Sequence, residues 1–320
     1  MNASANLPRN CALCSAPTSS LSLETAEVYG DTPGGGRAFH HCGSCDVFFQ
    51  WPRLSEEDEK AFYKGEFEKF MLGRNASGGF DWTGPESHVK SNLPQRERRE
   101  AFLRPYYDKL KARGQGSVLE VGCSSGFMLE GLREKYGLDC FGVEPSGVFR
   151  EYLNHKGMPV TSSLEELMKA QPGRKYDLIM HFFVLEHIRE PAPFIAATLE
   201  LLAPGGTLIV EIPNAQDPLR TLYQTAAFKK FYWSIAHPWY FTPKSFEFLL
   251  RDKCGLKEFE VVGDQRYDIG NHTRWLLEGK PGGQGRLAPV FDKEFDVHFK
   301  RCLVQSGHCD TLVAFIRRNP

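Results

Sequence analysis

The sequence predicts an α/β fold with a mostly parallel sheet, preceded by a small metal-binding module. Two observations support this prediction. Strand-like and helix-like segments alternate from Ser117 onward, and two C-x-x-C pairs stand near the N-terminus. Strands that alternate with helices form a parallel sheet covered on both faces, whereas doubled C-x-x-C spacing is typical of a zinc site. We therefore expect two folded units joined by a connector.

Composition narrows the class of protein. The chain has 320 residues, of which 41% are apolar, and its 39 basic and 40 acidic side chains leave a formal net charge of −1. A nucleic-acid-binding protein usually has a basic surplus, so this balance argues against nucleic acid as a partner. No apolar run approaches the roughly 20 residues of a membrane span, and the N-terminus lacks the apolar core of a signal peptide. We expect a cytoplasmic protein without a membrane partner; these features leave its oligomeric state unknown.

Four of the nine cysteines form two closely spaced pairs. They are Cys11, Cys14, Cys42 and Cys45. Two residues between the members of a pair allow a tight turn to direct both sulfurs at one point, and two such turns supply a tetrahedral four-thiolate site. Zinc suits this ligand set, and its expected role is structural because no coordination position stays open. His40 and His41 stand beside the second pair, but four cysteines already saturate the metal.

A helical connector is predicted after the cysteine-rich segment. Ser55 precedes a run of acids and has the character of a helix N-cap, and a further helix is expected from about Leu93 to Ala112. The glycines of "RGQG" then end that helix. The expected units are a zinc-binding module over 1–54, the connector over 55–112 and a larger domain over 113–320.

The larger domain contains the alternating pattern. Five strands are predicted, in the segments "SVLEVG", "DCFGVEP", "MPVTSS", "YDLIMHFFVL" and "TLIVEIPN". Helices are predicted in "FMLEGLREKYG", "FREYLNHKG" and "PFIAATLELLAPGG", and a terminal strand in "DTLVAFIRR". Because ligands of such sheets bind at the carboxyl ends of the strands, we expect the residues after the first, second and fourth strands to converge on one site.

The first strand ends in an unusual turn, "LEVGCSSGFML". A dinucleotide loop requires G-x-G-x-x-G, in which the middle glycine lets the backbone approach a pyrophosphate, but here only Gly122 and Gly126 are present. Glu144 follows Gly126 by 18 residues, at the end of the second strand, where a carboxylate can accept both hydroxyls of a ribose. This pattern favours a nucleoside without phosphates, and S-adenosylmethionine is the candidate.

The segments "LEVGCSSGFML", "GVEPS", "YDLIMHFFVLEHIREP" and "LAPGGTLIVEIPN" resemble, in order and spacing, the motifs of class I S-adenosylmethionine-dependent methyltransferases. The resemblance covers roughly residues 90–320. The paired cysteines followed by "WPRLSEED" and "FY" resemble the zinc-binding segment of bacterial methyltransferases that act on deoxysugars and related metabolites. The resemblance implies a Rossmann-like sheet whose last strand is antiparallel.

The resemblance also implies a set of cofactor contacts. Glu120 and the loop residues Gly122, Cys123, Ser124 and Gly126 would hold the cofactor, with Ser124 standing where many members have glycine. The resemblance further implies that Glu144 binds the ribose, that Ser163 lies near the adenine, and that His181 and Phe182 lie beside the methionine part.

One histidine is the predicted catalytic base. Transfer of a methyl group to a hydroxyl or a carbon acid requires that a proton be removed, and histidine is suited to this near neutral pH. His237 lies in the aromatic segment "FYWSIAHPWYFTPKSFEFLL", within a predicted lid over about 214–245. In sugar C-methyltransferases a Glu-His pair stands at the matching place; here Ala236 replaces the glutamate. A second reading is that His237 packs within an aromatic core.

Glu186 and His187 are the other candidates, in "LEH". Ubiquinone-pathway O-methyltransferases resemble this segment and carry a further acid three residues earlier, which completes a divalent-metal site. Phe183 occupies that position, and two ligands make a poor magnesium or calcium site, so we expect no catalytic metal. We interpret Glu186 and His187 as residues that form local hydrogen bonds at the exit of the strand rather than as catalytic groups. Tyr63, in the connector, is a candidate for the substrate side.

The predicted function is S-adenosylmethionine-dependent methyl transfer to a small metabolite, with a sugar or sugar-derived hydroxyl or carbon acid as the expected acceptor. A first alternative is an RNA methyltransferase, since some of these enzymes also carry an N-terminal zinc knuckle. A second is an inactive methyltransferase fold that serves as a binding or scaffold protein.

Overall fold

A computed structural model describes residues 7–32, 35–63, 67–75, 84–114 and 116–318. These residues form two β-sheets and the helices around them. The strands are β1 Leu21–Thr25, β2 Ala38–Cys42, β3 Phe48–Trp51, β4 Ser117–Val121, β5 Asp139–Val143, β6 Val160–Thr161, β7 Tyr176–Phe182, β8 Leu202–Pro213, β9 Trp239–Tyr240, β10 Phe259–Asp264 and β11 Thr311–Arg317. The helices are α1 Glu56–Ala61, α2 Phe67–Asn75, α3 Pro85–Ala112, α4 Phe127–Tyr136, α5 Gly147–His155, α6 Leu164–Ala170, α7 Pro191–Leu201, α8 Pro218–Thr221, α9 Ala226–Tyr232, α10 Pro243–Phe248, α11 Ile269–Glu278 and α12 Lys293–Gln305.

The larger sheet has seven strands in the order β10-β11-β8-β7-β4-β5-β6. Strands β4 to β8 run parallel, and β11 pairs antiparallel with both β8 and β10. Strand β7 is almost wholly buried, as a parallel strand covered on both faces must be. The predicted α/β class, with a mostly parallel sheet and an antiparallel last strand, is confirmed.

Local signals account for several element ends. Ser146 and Ser163 cap α5 and α6 by accepting hydrogen bonds from the backbone N–H groups of Phe149 and Glu166. Helix α4 ends at Gly137, whose φ of +66° is the left-handed conformation that glycine adopts without strain. The predicted cap Ser55 accepts from the N–H of Asp58 and begins α1.

Two boundaries differ from the prediction. Helix α3 begins at Pro85 rather than near Leu93 and continues through Pro94, and His88 and Asn92 in its first turns are buried. The predicted "LAPGG" end of a helix instead begins β8, which shifts register against β7 between Leu202 and Thr207. Proline and glycine here mark a bulge in a strand rather than the end of a helix.

The smaller sheet has the order β1-β2-β3-β9 and is antiparallel. Its first three strands come from the cysteine-rich segment, but β9 comes from the aromatic segment almost 190 residues later. Phe48 pairs with Tyr240 and Phe49 pairs with Trp239. The cysteine-rich segment and the predicted lid therefore share one sheet.

Aromatic side chains of the predicted lid lie in two separate cores. Trp233 and Tyr240, each 1% exposed, pack with Phe39 and Phe48 from the first strands, whereas Trp239, also 1% exposed, packs with Phe49 in the other core. His237 is only half-buried. None of the described helices combines the length and the apolar character that a membrane span requires.

Candidate functional site

The turn after β4 has the shape of a ligand loop. Gly122 and Gly126 have φ of +73° and +71°, and Ser124 between them also lies in the left-handed region at +45°. A Cβ atom at Gly122 would stand 2.5 Å from Cγ2 of Val184, and one at Gly126 would stand 2.4 Å from Cδ2 of Leu153. Both glycines are therefore required by conformation and by space.

Glu144, at the end of β5, holds this loop. Its Oε2 accepts a hydrogen bond from the backbone N–H of Ser124 at 2.7 Å, and its Oε1 accepts one from Ser146 at 2.7 Å. The predicted ribose ligand and the predicted loop are thus adjacent. A carboxylate with two backbone donors is held in one orientation, which suits recognition of a diol.

Glu120 lies directly beneath the loop and is 3% exposed. The pKa of its carboxyl is raised to about 8, chiefly by burial; the guanidinium of Arg99 lowers this pKa, and the negative charge of Glu144 raises it. The described residues offer no hydrogen-bond partner for its Oε2. Such a group is suited to receive a proton donor from a bound ligand.

The remaining predicted cofactor residues lie in different surroundings. Cys123 is buried inside the turn, and burial raises the pKa of its thiol well above the usual range, so it is a packing residue rather than a nucleophile. His181 is wholly buried in contact with Phe194; within the described residues neither ring nitrogen has a hydrogen-bond partner, and burial lowers its pKa to about 3. Ser163 caps α6, and Phe182 ends β7.

Helix α3 supplies residues that the sequence did not reveal. His88 Nδ1 lies 2.8 Å from the Ser125 hydroxyl in the loop, and the Arg99 guanidinium stands 4.0 Å above the ring of Phe182. Arg99 Nε also donates to Glu211 Oε2 at 2.7 Å. The density of charged residues in the run "QRERRE" was the only signal in the sequence. A helical pattern does not show which part of the domain the helix will pack against.

Glu211, at the carboxyl end of β8, is the anion that balances two arginines. Arg98 and Arg99 both donate to its carboxylate, and Arg98 also pairs with Asp264. Burial alone would favour the neutral carboxyl, but the two guanidinium groups lower the pKa of Glu211. A charged cluster of this kind is stable only while each partner is present.

Three candidate residues meet on the acceptor side. A carboxylate oxygen of Glu186 and a ring nitrogen each of His187 and His237 all lie within 4.8 Å of one another. Glu186 and His187 are on a short 3₁₀ turn, Leu185–His187, that follows β7. The preceding Val184 contacts the loop at Gly122, so this cluster lies one turn away from the loop.

Hydrogen bonds fix the tautomers of both histidines. His187 Nδ1 lies 2.8 Å from the carbonyl oxygen of Ala236, which can only accept, so Nδ1 carries the proton. The Tyr63 hydroxyl, 3.1 Å from the same carbonyl oxygen, also donates to it. His237 Nδ1 lies 3.0 Å from the Tyr240 hydroxyl, which itself donates to the carbonyl of Tyr232 and therefore accepts from the histidine.

This cluster contains three possible metal ligands. Only two ligands were apparent in the sequence, whereas the fold adds His237 as a third. Two imidazoles and one carboxylate are ligand types for zinc, iron or manganese. The same groups can also take up a proton and stabilise the resulting imidazolium.

The four cysteines predicted to bind zinc also come together. Their sulfurs all lie within 4.8 Å of one another, with Cys11 and Cys45 at 3.7 Å and Cys14 and Cys42 at 3.6 Å. A tetrahedral ion with Zn–S bonds of about 2.3 Å places its sulfurs about 3.8 Å apart, so the spacing fits. The Cys45 thiol donates to Cys11 and, with backbone N–H groups, lowers the pKa of Cys11 to about 5.

Comparison with known proteins decides the family. A family model described as "Methyltransferase domain" matches residues 95–257, just over half of the chain. The chain belongs to the methyltransferase family. The prediction of an S-adenosylmethionine-dependent methyltransferase is thereby confirmed at the level of family and enzyme class.

Two relatives and one solved structure illustrate the similarity. The methyltransferase is 31% identical over 157 residues to a ubiquinone biosynthesis O-methyltransferase of Methylococcus capsulatus, an alignment that covers 47% of this chain and 62% of the relative. It is 30% identical over 188 residues to a tRNA U34 carboxymethyltransferase of Hydrogenovibrio crunogenus, covering 54% of this chain and 53% of the relative. It thus spans less than two thirds of the length of either relative.

The crystal structure of the plantazolicin methyltransferase BamL, in complex with a triazolic desmethylPZN analogue and SAH, matches 82% of this chain and 95% of that one. The TM-score is 0.51 and the identity 17%, a similarity of fold alone. The expected resemblance to sugar methyltransferases is not confirmed by these matches.

Proposed function

We propose that this methyltransferase transfers a methyl group from S-adenosylmethionine to a hydroxyl or carbon acid of a small, polar metabolite. The observation that carries the proposal is the Glu186–His187–His237 cluster, which lies one turn from the glycine loop. A proton acceptor is needed close to the methyl donor, because the nucleophile must lose its proton while it approaches the methyl group to about 3 Å.

The proposed donor site comprises the residues predicted from the sequence. Gly122, Cys123, Ser124 and Gly126 form its floor, and Glu144 binds the ribose hydroxyls. Glu120 accepts a hydrogen bond from the donor, Ser163 borders the adenine, and His181 and Phe182 border the methionine part. The bound donor supplies a methyl group that is already activated by its sulfonium, so these residues need only bind and orient it.

His237 is the proposed catalytic residue. The Tyr240 hydroxyl accepts its Nδ1 proton and orients the ring, and Nε2 then takes the proton of the methyl acceptor. The nearby Glu186 carboxylate stabilises the imidazolium that forms. Tyr63 and His187 are held by the Ala236 carbonyl and give the site further polar groups.

A hydroxyl-rich acceptor such as a sugar suits this lining. A carboxylate and two imidazoles are groups with which hydroxyls form hydrogen bonds, so their proximity supports a ligand with several hydroxyls. The alternative of an RNA substrate has the tRNA-modifying relative in its favour and the net charge of −1 against it. The alternative of an inactive scaffold predicts that the donor site does not bind S-adenosylmethionine.

We also propose a structural zinc ion on Cys11, Cys14, Cys42 and Cys45, supported by sulfur spacings that match a tetrahedral site. The proposed division of the chain remains a zinc-binding module over 1–54, a connector over 55–112 and a methyltransferase domain over 113–320. The proposed lid is the segment over about 214–245.

Isothermal titration with S-adenosylmethionine and SAH is the first test. We expect one site per chain, and the Glu144→Ala variant should lose it; the absence of binding to the wild-type chain would favour the inactive scaffold. Radiolabelled methyl transfer to panels of sugar nucleotides, hydroxylated aromatics and transfer RNA then separates the substrate classes. Label found in RNA alone would overturn the small-metabolite proposal.

A further inference from the structure

We propose that the cysteine-rich module positions the catalytic histidine, so that the metal site and the acceptor site form one mechanical unit. This inference rests on the role proposed for His237 and goes beyond a zinc ion that only stabilises the fold. It assigns Asp46 and Thr242 as positioning residues that act through the segment 233–242.

The module contacts that segment on both sides of His237. On the N-terminal side, the N–H of Tyr29 donates to the Trp233 carbonyl at 2.6 Å, and the N–H of Ile235 donates to the Tyr29 carbonyl at 2.9 Å. On the C-terminal side, the N–H of Gln50 donates to the Pro238 carbonyl at 3.0 Å. The backbone around the histidine is thus bracketed by strand-like contacts with the first 50 residues.

Strand β9 continues this attachment. Trp239 and Tyr240 pair with Phe49 and Phe48 of β3, which begins three residues after the metal ligand Cys45. The same two residues orient the acceptor site, since Tyr240 binds His237 Nδ1 and the Trp239 indole N–H donates to the Ile188 carbonyl at 3.0 Å. One two-residue strand therefore joins the metal-binding sheet to His237 and to Ile188, the residue that follows His187.

A side-chain bond closes the connection beside the metal ligands. The Thr242 hydroxyl lies 2.8 Å from Asp46 Oδ2, and Asp46 Oδ1 lies 2.7 Å from His41 Nε2. Asp46 follows Cys45 directly and has a φ of +68°, a conformation set by the turn of the second cysteine pair. Thr242 also caps α10, so the bond fixes where β9 ends.

The geometry has a mechanical consequence. A two-residue strand cannot hold its register by itself, because each pairing contributes little and its ends are free to fray. The turn of Cys42 to Cys45 fixes β3, and β3 in turn fixes β9. Movement at this turn would displace Tyr240 and with it the His237 ring. In the described residues, the strand that leads into the glycine loop, β4, pairs with β5 and β7 rather than with a strand of the module.

The variant Asp46→Gly tests the proposal. Glycine adopts the left-handed backbone of position 46 without strain, so the variant removes the carboxylate and leaves the cysteine turn intact. We expect bound zinc, measured by a colorimetric chelator assay, and S-adenosylmethionine affinity, measured by titration, to change less than twofold. Turnover should fall at least tenfold, through kcat more than through KM. Ser22→Ala, on the opposite edge strand, is the matched control and should change none of these.

Hydrogen exchange supplies a readout that does not depend on turnover. In Asp46→Gly, and in wild-type protein stripped of zinc, we expect faster amide exchange over 236–241 and unchanged exchange over 119–126. Thr242→Val should reproduce the effect of Asp46→Gly and Thr242→Ser should not. Unchanged turnover and exchange in Asp46→Gly would overturn the proposal, as would equal acceleration in both segments. If His237→Gln keeps full activity but exchange responds as expected, the positioning stands and only the role of His237 fails.

Discussion

His237 and Tyr240 form a hydrogen bond of 3.0 Å between the imidazole Nδ1 and the phenol oxygen. Because the same hydroxyl donates to the Tyr232 carbonyl, it accepts the proton on His237 Nδ1, and it also accepts the backbone N–H of Ser234. This contact orients the ring in the way that the proposed role of His237 as a base requires. Glu186, whose carboxylate lies within 4.8 Å of the ring nitrogen, is the proposed acidic partner in place of the glutamate that Ala236 replaces.

Replacing His237 with Gln tests this arrangement. The amide retains hydrogen-bonding capacity but cannot take up a proton, so kcat should fall by about 10²- to 10⁴-fold, the usual contribution of a general base. Titration calorimetry should show unchanged S-adenosylmethionine affinity, because the residue lies outside the donor loop. Undiminished turnover would exclude His237 as the base.

Tyr240→Phe is the companion variant. It removes the acceptor of the Nδ1 proton while keeping the ring in the aromatic core, so a smaller decrease of about tenfold is expected. If turnover of the wild-type protein instead required an added divalent cation, and that of His237→Gln did not, the result would indicate that the cluster binds a metal.

Glu144→Gln tests the donor site. The carboxylate accepts hydrogen bonds from the backbone N–H groups of Ser124 and Ser146. The glutamine amide has one oxygen, so it can accept only one of these bonds, and its NH₂ group faces the other N–H donor. Hydrogen bonds to charged groups contribute about 1.5–3 kcal/mol, so affinity for S-adenosylmethionine should fall by about 10- to 100-fold. Exposed Glu165→Gln is a control that should leave the affinity unchanged.

The parts of the site that follow from the sequence are those that are local in the chain. The glycine loop, the carboxylate after β5 and the paired cysteines each lie within a few residues of a strand end or a turn. Their spacing therefore restricts the backbone directly. The glycines have the conformations that their positions require, and the four sulfurs meet as the spacing implies.

The parts that the sequence did not reveal depend on distant pairing. In the sequence, the "LEH" turn has only two candidate metal ligands among neighbouring residues. The third, His237, lies about 50 residues later in the chain and is brought there by the fold. Strand β9 has two residues and no periodicity, so nothing in its sequence predicts that it completes the first sheet. The burial of Arg99 against Phe182 likewise depends on how α3 packs.

Removal of one zinc ligand should destabilise the module. In Cys42→Ser the three remaining thiolates cannot complete a tetrahedral site, and a structural zinc contributes its binding free energy to folding. We expect loss of bound zinc and a lower melting temperature by differential scanning calorimetry. Cys302→Ser, at an exposed thiol of α12, should alter neither quantity. A zinc-free sample with full stability and activity would contradict the structural role.

The stability of the ligand-free protein should depend on pH through Glu120. Its folded-state pKa of about 8 lies above the ordinary glutamate value near 4.5, so the folded state retains a proton that the unfolded chain releases between these values. The free energy of unfolding therefore falls as pH rises from 5 to 8, by at most about 3 kcal/mol from this group. Glu120→Gln mimics the protonated form and should flatten the dependence in urea unfolding measured at pH 5, 6.5 and 8. Asp217, whose pKa burial also raises to about 8, contributes a similar slope that remains in the Gln variant. An unchanged slope in Glu120→Gln would show that Arg99 keeps the carboxylate ionised throughout.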